Sequence, residues 1–88
     1  MSRVRRRKGN RTPARGNIPI VVYVYEQRLE GRVLDRSDHG IGVILPSDCG
    51  LIEQKTVRIL YERRQQMAKV ARVVPTDEGD QVGLRLLS

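Results

Sequence analysis

The sequence predicts a small, mainly β domain: a six-stranded antiparallel barrel with little or no helix, carried behind a flexible basic N-terminal arm. Three observations predict it. Short β-branched runs recur at near-regular spacing, turn-forming clusters of Gly, Pro, Asp and Ser separate them, and 88 residues leave room for one core only.

Residues 1–16 mix arginine with Gly9, Asn10, Pro13 and Gly16 and show neither a two-residue nor a 3.6-residue apolar period, so they read as a mobile arm. Residues 17–88 form the barrel. From Ile18 the run IPIVVYVYE is β-branched and tyrosine-rich, which favours a strand with a buried face and with Pro19 near its start. Tyr23 and Tyr25 fall on one face of it as core or rim residues. Further strands are expected over Arg28 to Asp35, Ile41 to Leu45, Thr56 to Tyr61, Met67 to Val74 and Gln81 to Leu86. The turns between them are SDHG at 37–40, PSDCG at 46–50, ERRQ at 62–65 and PTDEGD at 75–80. Ser47 can cap a short helical turn over 47–54, although Gly50 limits its length.

With 39% hydrophobic residues but only three tyrosines and no Phe or Trp, the core is aliphatic. Ordinary per-residue stabilities give such a domain about 4–13 kcal/mol. The net charge of +7 is confined to one end: Arg3, Arg5, Arg6, Arg7, Lys8, Arg11 and Arg15 face no acid within residues 1–16, and the remainder sums to zero. An anionic partner follows from that asymmetry.

A single Cys49 and a single His39 exclude a disulfide framework and the common zinc spacings, so no metal or cofactor is expected. No apolar run reaches membrane-spanning length, and no cleavable leader is visible, which predicts a cytoplasmic protein without membrane insertion. Asp35, Ser37 and His39 supply the residue types of a hydrolytic triad, but three alternate residues of one stretch do not converge as triads do, so the chain reads as a non-enzyme.

Two elements carry binding chemistry. Arg3, Arg7, Arg11 and Arg15 recur every fourth residue, with Arg6 before the middle frame. Guanidinium forks donate paired hydrogen bonds to phosphate or to the O6/N7 edge of guanine. The second element, Asp35-Arg36-Ser37-Asp38-His39-Gly40, turns one strand into the next. Its aspartate can accept the N1–H and N2–H donors of a guanine, its serine hydroxyl can bond nearby, and its glycine permits a turn with positive φ.

In this order, and with strand-like sequence between them, the two elements resemble the PilZ domain family of cyclic di-GMP receptors. Arg7-Lys8-Gly9-Asn10-Arg11 matches its R-x-x-x-R, and Asp35, Ser37 and Gly40 match its [D/N]-x-S-x-x-G. The segment Pro19 to Asp35 is similar to the family's first two strands, and Ala71 to Val74 and Val82 to Leu86 to its closing strands. Asn10 and Leu86 depart from the family's apolar or aromatic preference, and its usual C-terminal helix is missing or minimal.

The resemblance implies that Arg7 and Arg11, assisted by Arg6, grip phosphates and guanine edges, that Asp35 and Ser37 hold a guanine from the barrel side, and that Gly40 shapes the turn. Arg3, Arg15, Arg36, Arg72 and Arg85 are further candidates. The implied protein is a receptor or adaptor whose ligand fastens the arm to the barrel and whose output passes to an effector protein. The rival reading is a basic-armed small barrel that binds nucleic acid with a steep salt dependence. Its weakness is a barrel of zero net charge with few aromatic residues.

Overall fold

The computed structural model describes residues 12–87, with side chains from Ile18 onward. Six strands, β1 (Thr12–Val24), β2 (Gln27–Arg36), β3 (Gly40–Leu45), β4 (Thr56–Tyr61), β5 (Arg64–Thr76) and β6 (Gly79–Leu87), close into a barrel in the order β1-β2-β3-β6-β5-β4. Every pairing is antiparallel. No helix occurs among the described residues, so the expected mainly β barrel is the fold found.

Alternation explains the core. In β4, Val57 and Ile59 point inward and are at most 2% exposed, and in β5 Ala68 and Val70 are fully buried. Ile20, Val22, Val33, Val43, Val82 and Leu84 complete an aliphatic interior with no ring larger than Tyr61. β-branched side chains suit this pleated, closed surface because their stiff χ1 angles lose little freedom there. The β3–β4 connection plugs one end of the barrel with Cys49 and Leu51. The Cys49 amide donates to the Asp80 carboxylate at 3.3 Å, and burial raises the Cys49 thiol above its ordinary pKa.

Four expectations are corrected. β1 begins at Thr12, six residues before the apolar run, so Pro19 lies inside it rather than near its start. Pro19 pairs with Arg32 of β2 but lies outside the stretch of β1, Val21 to Tyr23, that pairs with β4, so on that side a missing N–H costs no ladder bond. Residues 47–54 form turns, not a helical turn, since Asp48 and Gln54 take φ of 58° and 74°. Tyr25 is not on the strand face with Tyr23: it sits in the β1–β2 turn with φ 57° and is 84% exposed, its ring and hydroxyl contacted by Lys55.

Candidate functional site

The barrel's irregularities gather in one band. The β1–β2 register shifts between Pro13 and Ile18, the β2–β3 register between Val33 and Asp35, and the β5–β6 register between Val70 and Arg72. A bulge breaks the alternation and re-aims the side chains beside it. Ala71 and Arg72 are accordingly both exposed where strict alternation would send one of them inward.

Between the bulges, cross-strand partners form a row running Pro13, Asp35, Gly42, Gly83, Arg72. Two glycines separate the carboxylate from the guanidinium. The row therefore makes a groove with a glycine floor, Asp35 on the β2 side and Arg72 on the β5 side, across about 14 Å of sheet at ordinary strand spacing. A concavity of about 280 Å³ is lined by Asp35, Gly42, Arg72 and Gly83. An adjoining cleft of about 390 Å³ is lined by Ser37, Gly40, Arg72, Gly83 and Arg85, with His39 beside them. Arg72 and Gly83 belong to both, so the two recesses are continuous along one face.

The β2–β3 turn is locked by its own hydrogen bonds. The Ser37 amide donates to the Gly40 carbonyl at 2.8 Å, the His39 amide approaches Ser37 Oγ at 3.4 Å, and the Leu86 amide donates to the His39 carbonyl at 2.8 Å. Gly40 does not have positive φ, contrary to the sequence argument. Its glycine is required by close approach, since a Cβ there would stand 2.8 Å from the Leu84 carbonyl oxygen of the paired strand.

The sequence candidates divide accordingly. Asp35, Ser37, Gly40, Arg72 and Arg85 come together on this face. Arg36 does not join them. It donates to the buried Tyr61 hydroxyl at 2.8 Å and stands 3.6 Å from Glu62, clasping the β4–β5 turn instead. Arg3, Arg6, Arg7 and Arg11 lie outside the described residues, and so does the side chain of Arg15. The register sets Thr12, the residue after Arg11, opposite Arg36. Gly42 and Gly83 were missed, because a floor made by two glycines on separate strands has no sequence spacing. Among the described residues no group of His, Cys, Asp and Glu is arranged to hold a metal.

Arg36 makes a separate prediction. Tyr61→Phe removes the acceptor for a partly buried guanidinium and should cost about 1 kcal/mol, lowering Tm by about 4–8 °C, with binding at the groove unchanged. A thermal melt paired with a ligand titration checks both halves, and a loss of ligand affinity would place Arg36 in the site after all.

A family model described as PilZ domain matches residues 5–88. The Bacillus subtilis inhibitor of motility (MotI/DgrA) is similar with a TM-score of 0.76 at 22% identity, over 100% of this chain and 46% of that one. The PilZ domain with c-di-GMP of YcgR from Escherichia coli is similar with a TM-score of 0.69 at 17% identity, over 96% of this chain and 79% of that one. The chain thus spans less than half the length of the first. At these identities the two structures speak for the fold. No curated protein sequence matches the chain.

Proposed function

We propose that this chain, which belongs to the PilZ domain family, is a cytoplasmic receptor for cyclic di-GMP that transmits occupancy to an effector protein and catalyses no reaction. The observation that carries this reading is the glycine-floored groove with Asp35 and Arg72 on opposite walls and Ser37 and Arg85 at its end. A cyclic dinucleotide presents two phosphates and two guanine edges. Asp35 accepts from the N1–H and N2–H pair of one guanine, and the guanidinium groups take phosphate oxygens or an O6/N7 edge. The flat floor lets a base approach the backbone without meeting a side chain.

Arg7 and Arg11, with Arg6, supply the remaining contacts from the segment that precedes β1. Binding then draws residues 1–11 onto the groove face, and the surface so formed is what an effector reads. The family match supports the ligand class, and the register of Thr12 beside Arg36 supports the approach of the arginine motif to the groove.

Calorimetric titration of cyclic di-GMP at about 150 mM salt, where diffuse charge is screened beyond about 8 Å, tests the reading. GTP and a DNA duplex serve as controls. Saturable micromolar binding of the dinucleotide alone is the expected result. Gly83→Leu should weaken it at least about tenfold by filling the floor, with a thermal melt as the check on the fold, since the Cβ itself meets nothing closer than 3.9 Å. No heat with the dinucleotide, together with salt-sensitive binding of the duplex, would replace the receptor by a nucleic-acid binder.

A further inference from the structure

The neutral sum of the barrel conceals a segregation of charge by face. Strands β4 and β5 contain no Asp or Glu, and the single acid of β6, Asp80, is buried. Their basic residues include Arg58, Lys69 and Arg85, of which Arg58 and Arg85 are exposed and Lys69 half-buried.

The register assembles these residues into two neighbouring rows on the outside of the barrel. One row runs Tyr23, Arg58, Met67, Leu87, and the next runs Thr56, Lys69, Arg85. Val57, Ile59 and Ala68 point into the core between them, so the members of both rows project outward. Met67 and Leu87 are cross-strand partners, 45% and 37% exposed, and form an apolar centre among the cations. Arg58 stands 5.0 Å above the centre of the Tyr23 ring, which holds its guanidinium over the face.

An apolar centre within a charged rim is the composition of a protein-docking patch. A phosphodiester chain has nothing to bury against Met67 and Leu87, and Arg58 covers the ring on which a base would stack. Residues 1–16 carry +7 and so cannot complement this face, and a second copy docked through the same face would present the same sign to it.

We propose that the outer face of β4, β5 and β6 docks an acidic amphipathic segment of a partner protein. Its apolar side chains pack on Met67 and Leu87, and its carboxylates pair with Arg58 and Lys69. The proposal does not rest on the ligand reading, since Arg58, Met67 and Leu87 line neither groove recess.

The probe is a fluorescein-labelled peptide of about 18 residues with leucines at helical i, i+3, i+4, i+7 spacing and glutamates elsewhere. Its scrambled sequence, an oligoglutamate of equal charge and a DNA duplex accompany it, with anisotropy read at about 150 mM salt. The amphipathic peptide should bind saturably and at least about tenfold more tightly than its scramble or the oligoglutamate. Arg58→Glu and Met67→Asp should each weaken it about tenfold or more, with cyclic di-GMP affinity and thermal melts unchanged. Met67→Gln, milder toward the fold, should weaken it in the same direction.

Absence of saturable peptide binding, equal binding of the scramble, tighter binding of the duplex, or indifference to Arg58→Glu and Met67→Asp would each overturn the proposal. Failure of the peptide with cyclic di-GMP still bound removes this surface and leaves the receptor standing. Peptide binding without dinucleotide binding does the reverse.

Discussion

Asp35→Ala is expected to lower cyclic di-GMP affinity about 5- to 150-fold at pH 7, the equivalent of about 1–3 kcal/mol for one good bidentate contact to a guanine. The expectation follows from how the carboxylate is held. Asp35 sits at the bulge between β2 and β3, opposite Gly42, and lines the groove beside its glycine floor. Two acceptor oxygens match the two donors of the N1–H and N2–H edge, and pairing with an ionised acceptor strengthens both bonds.

Asp35→Asn refines the test. The amide keeps one acceptor but turns a donor toward a donor, so its affinity should fall between wild type and alanine only if the guanine is read through both bonds. Calorimetry gives the affinities, and thermal melts separate binding from any change in the fold, since Asp35 also interacts within the folded chain. Unaltered affinity in the alanine variant would remove the carboxylate from the site and leave the groove without its guanine reader.

The parts of this molecule that the sequence made legible are those governed by local rules. Alternation located β4 over Thr56–Tyr61 to the residue, because Val57, Ile59 and Tyr61 are inward and their neighbours are not. Asp35, Ser37 and Gly40 were legible as a turn because their spacing is short. The remainder depends on register between distant strands. Thr12 to Asn17 has poor strand propensity, with Pro13 and Gly16, yet it is drawn into β1, where Thr12 and Pro13 pair with Arg36 and Asp35.

Tyr25 misled because alternation continues past the strand end into a two-residue turn that carries no glycine to mark it. Gly42, Gly83 and Arg72 become one groove only after β3, β6 and β5 are laid side by side. The basic outer face was likewise hidden, since zero net charge over residues 17–88 is silent about which strands carry the acids.

Gly31→Ala is expected to be strongly destabilising although it adds only a methyl group. A Cβ at residue 31 would stand 2.2 Å from the Ile44 carbonyl oxygen and 2.7 Å from Leu45 Cδ2. The first of these is backbone, which cannot rotate away as a side chain can, so β2 and β3 must separate at the point where they bury Val33 and Val43. Overpacking of this kind costs about 1–3 kcal/mol and more where backbone must move, against a total stability of about 4–13 kcal/mol. Tm should fall by at least about 10 °C.

Gly83→Ala supplies the contrast, because its Cβ meets nothing closer than 3.9 Å and residue 83 does not have positive φ. Loss of backbone freedom in the unfolded chain should make that variant neutral or slightly stabilising. The two alanines lie in the same barrel and differ only in what their methyl groups meet, so the gap between their melting temperatures measures the close approach of β2 to β3. Equal melting temperatures would mean that β3 yields to the Gly31 methyl without loss, and that the close approach at residue 31 does not hold the barrel together.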